Sequence, residues 1–91
     1  MIKGKNVLIT GATGGIGSKA AKLLSASGAN LFIAARNKEK LQLLANEINI
    51  GSDQLFALDI SKPEEVAALK EQFFSQYDSI DVLLNAAGIG V

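Results

Sequence analysis

The chain has 91 residues, with nine Lys and Arg against nine Asp and Glu, no His, no Cys and 48% hydrophobic residues. This length predicts one small domain over residues 1–91. The balanced charge argues against nucleic acid or an anionic membrane as a partner, because both need excess positive charge. Without Cys or His, zinc sites, disulfides and Ser-His or Cys-His catalytic pairs are excluded, and we assign no metal site. No apolar run approaches the ~18 residues that span a bilayer, so we expect a soluble, cytoplasmic protein.

Strand-like and helix-like segments alternate from the start of the chain. The first strand is predicted at Asn6–Thr10, an apolar run without polar alternation, as in a strand covered on both faces. A helix follows at residues 16–27, where Gly28 is placed to end it, and the second strand is Asn30–Ala35. The apolar positions that recur at helical spacing in this helix are Ile16, Ala20, Leu23 and Leu24.

The alternation continues through the middle of the chain. Asn37 is predicted to cap a second helix that ends before Gly51, and the third strand is predicted at residues 54–58. The apolar face of this helix comprises Leu41, Leu44, Ala45 and Ile48.

A third helix and a fourth strand complete the pattern. Ser61 and Glu64 have the spacing of a capping box, with Pro63 in the first turn. The fourth strand is predicted at Val82–Asn85. The buried stripe of the third helix comprises Val66, Leu69, Phe73 and Tyr77.

The order β-α-β-α-β-α-β indicates an α/β fold with a Rossmann-like, doubly wound parallel sheet. Right-handed crossovers predict the strand order 3-2-1-4, which is the first half of that fold, truncated after strand four. Such a truncation would leave Val82, Leu83 and Leu84 on an uncovered apolar edge that favours self-association. We therefore expect either a fragment of a longer protein or a chain whose edge is covered by a second copy.

A glycine-rich turn joins the first strand to the first helix. Gly11 suits the tight turn, Gly14 or Gly15 would let the backbone approach a diphosphate, and Gly17 would let the helix pack closely on the strand. The positive end of the helix then faces the negative charge. The residues predicted to hold the diphosphate side of a dinucleotide are Gly11, Thr13, Gly14, Gly15, Ile16 and Gly17.

The residue after the second strand selects the nucleotide. An NAD site of this type has an acid there for the ribose 2′-OH, whereas an NADP site has a cation. Here the strand ends in Ala35 and is followed by Arg36, and the first acid is Glu39, inside the helix. Because a guanidinium is a planar, multidentate partner for a 2′-phosphate, we predict NADP, as NADPH, over NAD.

These segments resemble the short-chain dehydrogenase/reductase family. The glycine turn is similar to its Thr-Gly-x-x-x-Gly-x-Gly motif, although Gly11, Gly14 and Gly17 also fit the form of the extended, epimerase-like branch. The segment at residues 85–88 resembles the Asn-Asn-Ala-Gly motif, with Ala86 in place of the second Asn, and favours the compact branch.

The resemblance implies further cofactor contacts. Asp59 would accept a hydrogen bond from the adenine amine, and Ile60 would pack on the ring. The resemblance also supports Arg36 as the ligand of the 2′-phosphate. The residues implied to line the ribose are Asn85, Ala86, Ala87 and Gly88.

The implied function is the NADP-binding portion of an oxidoreductase that transfers hydride between the nicotinamide and a carbonyl or alcohol substrate. The family's catalytic Ser and Tyr-x-x-x-Lys pair cannot be placed, because the only Tyr is Tyr77 and Asp81 stands four positions later. We therefore assign no catalytic residue and expect the 91-residue chain to be inactive alone. The alternative is a non-catalytic dinucleotide-binding module or an inactive truncated product.

Overall fold

Four parallel strands and three helices follow one another in the computed structural model, which describes residues 2–86. The strands lie in the order β3-β2-β1-β4, so the predicted order is confirmed. The elements are β1 (Asn6–Thr10), α1 (Gly15–Ala26), β2 (Asn30–Ala35), α2 (Lys38–Ile48), a 3-10 turn (Ser52–Gln54), β3 (Leu55–Ala57), α3 (Pro63–Phe74) and β4 (Val82–Asn85).

The two central strands are buried on both faces. Successive residues of a strand point to opposite faces, so Val7 and Ile9 pack with the inner residues of α1 and α2, whereas Leu8 packs with those of α3. On the α3 face, the ring of Phe32 contacts the rings of Phe73 and Tyr77, with centroids 4.8 and 4.7 Å apart. The uninterrupted apolar runs of β1 and β2 are thereby explained.

The buried face of α1 includes only part of its apolar spacing. Ile16 is 48% exposed and Leu23 is 71% exposed, although both recur at helical spacing with Ala20 and Leu24. Gly17 and Ala21 are the buried residues of this helix, and Ala20 and Leu24 pack against the same core. The helix therefore turns this side to the sheet, which leaves Ile16 and Leu23 outside the core.

Two details near β3 also correct the prediction. The strand begins at Leu55 rather than at Gln54, because Gln54 belongs to the 3-10 turn and its side chain donates a hydrogen bond to the carbonyl of Leu31 at 2.7 Å. The predicted capping box of α3 does not form: Lys62 precedes the helix without a side-chain cap, and the hydroxyl of Ser61 donates to Asp59 instead.

The ends of α1 and α2 both use left-handed backbone. Gly28 has a φ of 86°, as predicted for the residue that ends α1. At the end of α2, Asn49 takes this conformation, with a φ of 60°, two residues ahead of Gly51. Asn37 caps the start of α2, because its side chain accepts from the backbone N–H of Lys40.

The outer edge of β4 is apolar. Within residues 2–86, β4 pairs only with β1, and Val82 and Leu83 are 40% and 61% exposed, whereas Leu84 is half-buried. Self-association through this edge stays a prediction. None of the described helices is long and apolar enough to cross a bilayer.

Candidate functional site

A cleft of about 1220 Å³ lies at the carboxyl ends of the strands. Its walls are formed by the segments that directly follow β1, β2 and β3, and by Ala86 after β4. The helices that follow β1 and β3 cover opposite faces of the sheet, so this end of the sheet opens between β1 and β4. Open parallel sheets bind their ligands at such a point.

The turn between β1 and α1 forms the floor of the cleft with its backbone. Gly11 has a φ of 68°, which a side chain would strain, and its carbonyl accepts from the N–H of Gly14 at 3.2 Å. Gly14, Gly15 and Ile16 line the cleft where α1 begins, and a Cβ on Gly15 would meet no atom within 4 Å. The start of α1 has neither a side-chain cap nor an acidic residue. Its N–H groups and positive end therefore fit a phosphate group.

Gly17 differs from the other glycines of this segment because it packs against the turn. A Cβ at this position would lie 2.3 Å from the carbonyl oxygen of Gly11 and 2.9 Å from the Cα of Ala12. Gly17 is buried beneath the turn and does not line the cleft. It permits the close contact between α1 and the turn at Gly11 and Ala12. Thr13 of the same turn lines the cleft.

The junction of β2 and α2 contributes side chains. Arg36 is exposed on the cleft wall, directly after the buried Ala35, and Lys40 lines the same wall one helical turn later. The acid of this turn, Glu39, is not among the lining residues. This wall is therefore cationic, in the place where the sequence predicted a site for a 2′-phosphate.

The junction of β3 and α3 places an oriented carboxylate in the cleft. Oδ1 of Asp59 accepts from the Ser61 backbone N–H at 3.0 Å and from its hydroxyl at 2.7 Å, while the Asp59 N–H donates to Oε1 of Glu65 at 2.9 Å. The hydroxyl of Ser61, first, and its N–H hold the pKa of Asp59 below the ordinary 3.8, with a smaller effect of Arg36 and against a smaller desolvation effect. Ile60, half-buried, completes this wall.

Of the residues described up to position 86, Ala86 is the one that follows β4 and lines the cleft. Asn85 does not line it: its Oδ1 accepts from the Thr10 hydroxyl at 3.0 Å. The N–H of Ala86 donates to the carbonyl of Thr10, also at 3.0 Å, so these contacts tie the end of β4 to that of β1. Ala87 and Gly88 lie outside the described residues.

Two lysines of the cleft were missed by the sequence analysis. Lys19 on α1 and Lys40 on α2 line it together with Arg36, against the single acid Asp59. The two ion pairs found within residues 2–86 join Lys22 to Glu47 and Lys62 to Glu65, and involve none of these three cations. The spacing of Lys19 and Lys40 in the sequence could have identified these two lysines. Each stands four residues, or about one helical turn, after a predicted cofactor contact, Gly15 or Arg36. The cleft is thus net cationic in a chain whose formal charge is zero.

The chain is similar to known proteins over nearly its whole length. The family model for short chain dehydrogenases matches residues 5–91. An uncharacterized oxidoreductase of Staphylococcus saprophyticus is 40% identical over 88 residues, which are 97% of this chain and 36% of that protein. The chain thus spans about a third of the length of this curated relative.

Two similar solved structures hold a nicotinamide dinucleotide. A Shigella flexneri protein, assigned as a short chain dehydrogenase and complexed with NADP, superposes with a TM-score of 0.78 at 33% identity, over 93% of this chain and 38% of that one. The 3-ketoacyl-(acyl-carrier-protein) reductase of Brucella melitensis, complexed with NADH, gives a TM-score of 0.75 at 36% identity, over 91% and 34%. The resemblance drawn from the motifs is confirmed, and the chain belongs to the short chain dehydrogenase family.

Proposed function

We propose that this chain binds NADPH, in preference to NADH, as the cofactor-binding portion of an oxidoreductase acting on a carbonyl or alcohol substrate. The observation that carries the preference is the wall after β2, where the uncharged Ala35 and the exposed Arg36 line the cleft and Glu39 does not. A carboxylate at this point would repel a 2′-phosphate, whereas a guanidinium attracts it. The similar structures, one with NADP and one with NADH, leave this choice to the residues of each protein.

We propose that each junction of the sheet binds a different part of the cofactor. In our proposal the glycine turn holds the diphosphate, with Gly11, Gly14 and Gly17 shaping its backbone. Arg36 binds the 2′-phosphate. The other proposed contacts are Thr13, Gly15 and Ile16 at the diphosphate, Asp59 and Ile60 at the adenine, and Ala86, Ala87 and Gly88 at the ribose. Asn85 would fix the start of this last segment through its hydrogen bond with Thr10.

The cofactor supplies the hydride chemistry, and the protein supplies binding and orientation. Asp59 presents a carboxylate whose Oδ1 is held by Ser61, which leaves Oδ2 to accept from the adenine amine. We assign no acid or base for the reaction to residues 2–86: the sole tyrosine, Tyr77, packs against Phe32 and Phe73.

The test is a calorimetric titration of the chain and of its Arg36→Ala variant with NADPH and NADH. The unsubstituted chain should prefer NADPH. Loss of the guanidinium should weaken NADPH by about thirtyfold, roughly 2 kcal/mol for hydrogen bonds to a charged group, and leave NADH nearly unchanged. Because Arg36 is exposed, the variant should keep its unfolding midpoint. Equal losses for both nucleotides would refute the assigned role, and a chain that binds NADH as tightly would refute the preference.

A further inference from the structure

A second cation stands beside Arg36 on the wall of the cleft. Lys40 lies in the first turn of α2, four residues after Arg36, and both side chains are exposed and line the cleft. Neither takes part in the ion pairs found within residues 2–86. Glu39, which stands between them in sequence, lies off the cleft wall. This wall therefore carries two positive charges, and the carboxylate of the cleft, Asp59, follows β3 and interacts electrostatically with Arg36.

The backbone of Lys40 is held in a defined place relative to Arg36. Oδ1 of Asn37 accepts from the N–H of Lys40 at 3.0 Å, and the next residue, Leu41, is 1% exposed and anchors the helix on the sheet. The backbone of Lys40 is thus fixed near the end of β2. This lowers the conformational entropy that is lost when its flexible ammonium group binds an anion.

The position of Arg36 and Lys40 indicates which phosphate of the cofactor they would bind. The diphosphate is assigned to the start of α1, where backbone N–H groups are available. The pair lies instead after β2, at the place that distinguishes a ribose 2′-OH from a 2′-phosphate. A phosphate monoester carries a charge of about −1.5 to −2 at neutral pH, which one guanidinium alone does not neutralise.

We propose that Lys40 is a second specificity-determining residue, which binds the 2′-phosphate together with Arg36. The inference rests on the proposed function and deepens it, because it divides the recognition of one phosphate between two junction residues. Arg36 supplies planar, directional hydrogen bonds, whereas Lys40 supplies a mobile point charge. Asn37, between them, is the residue that positions Lys40 through the cap.

The experiment compares Lys40→Gln with Lys38→Gln in calorimetric titrations with NADPH and NADH. Lys38 is a matched control, since it is exposed in the same first turn of α2 but does not line the cleft. Lys40→Gln should weaken NADPH about tenfold and leave NADH unchanged, because only NADPH carries the additional phosphate. Lys38→Gln should change neither affinity by more than about twofold, as expected for a solvated charge. Lys40→Arg should retain the preference.

Two further measurements separate the outcomes. Adenosine 2′,5′-bisphosphate should lose affinity in Lys40→Gln, whereas adenosine 5′-monophosphate should not. If Lys40→Gln binds NADPH as the unsubstituted chain does while Arg36→Ala loses it, the inference on Lys40 is overturned and the proposed function stands. If Lys40→Gln weakens NADPH and NADH equally, Lys40 binds the diphosphate, and the inference is again overturned. If the unsubstituted chain shows no preference for NADPH, both the proposed preference and the inference on Lys40 fail.

Discussion

The cleft is built from two neighbouring junctions that work in opposite ways. The turn after β1 uses backbone: Gly11 has a left-handed φ, and Gly17 leaves no room for a Cβ. The junction after β2 uses exposed side chains, Arg36 and Lys40, and ends in a capped helix of ordinary geometry. Both junctions line the same cleft, at the carboxyl ends of the two central strands.

The two junctions are expected to contribute differently to nucleotide binding. The first would contribute to the affinity for both nucleotides, and the second to the preference for one of them. At the first junction Gly17 permits the contact between α1 and the turn at Gly11 and Ala12, so the shape of the turn and the packing of α1 depend on the same atoms. At the second junction the side chains point to solvent, so their replacement leaves the core unchanged. We expect substitutions in the turn to affect stability or both nucleotides, and substitutions after β2 to affect one nucleotide.

The largest effect is expected for Gly17→Ala. The new methyl group would lie 2.3 Å from the Gly11 carbonyl oxygen, and backbone cannot yield as a flexible side chain would. We expect a loss of roughly 3 kcal/mol in the free energy of unfolding, from displacement of α1, with weaker binding of both nucleotides. Urea unfolding followed by circular dichroism measures it.

Gly15→Ala is the matched control for this substitution. It adds the same methyl group two residues earlier on the same helix, where no atom lies within 4 Å. Its unfolding free energy should change by less than about 1 kcal/mol, with any gain due to the higher helix propensity of alanine. If both variants are destabilised equally, the contact between Gly17 and Gly11 does not explain the effect.

Gly15→Val is expected to weaken the binding of both nucleotides, with a smaller effect on stability. Its branched side chain would project into open space beside the start of α1, where we propose that the diphosphate approaches. We expect NADPH and NADH to lose at least about tenfold in affinity, by equal factors, while the urea midpoint stays close to that of the unsubstituted chain. Unchanged binding would show that the diphosphate does not approach this part of the turn.

The sequence predicted the frame of the fold because its strong patterns are local. The bounds of β1, β2 and β4 follow apolar runs, and the strand order follows from the handedness of the crossovers. The inner face of α1 does not follow from apolar spacing alone. Ile16 and Leu23 are exposed because the helix turns Gly17 and Ala21 to the core instead. This rotation is a tertiary property, and Gly17 permits it through its close contact with Gly11 and Ala12.

Residues that line the cleft could be predicted from the sequence where they stand in distinctive positions, and not where they stand on an ordinary helix surface. Arg36 directly follows a strand, and Gly11, Gly14 and Gly15 belong to a motif, and all of them line the cleft. Their contacts with a cofactor stay predictions. Lys19 and Lys40 lie on helix surfaces, where a lysine is ordinarily solvated. Ser61 was interpreted as a helix cap, since its spacing from Glu64 fits one, but its hydroxyl donates to Asp59.

The third junction, after β3, uses both a side chain and a backbone group. A substitution there is expected to have the smallest effect on nucleotide binding. Ser61 holds the Asp59 carboxylate through its hydroxyl and its backbone N–H, and lowers the pKa of Asp59 below 3.8. A lowered pKa means that the folded state favours the carboxylate. The contribution of the carboxylate to stability, and its proposed hydrogen bond with the adenine amine, are therefore present above pH 3.8 and are lost as the pH falls through the lowered pKa.

Ser61→Ala removes the hydroxyl, the larger cause of this shift, and keeps the backbone N–H. We expect the pKa of Asp59 to rise towards 3.8, so that the acid-induced loss of nucleotide binding begins at a higher pH, while binding at pH 7 changes little. Carboxyl carbon NMR of Asp59 measures the titration directly. Ser75→Ala is the control, because the hydroxyl of Ser75 donates at 2.7 Å to a backbone carbonyl at the far end of α3. An Asp59 pKa that is the same in both variants would show that the backbone N–H alone orients the carboxylate, and the third junction would then belong with the glycine turn rather than with Arg36 and Lys40.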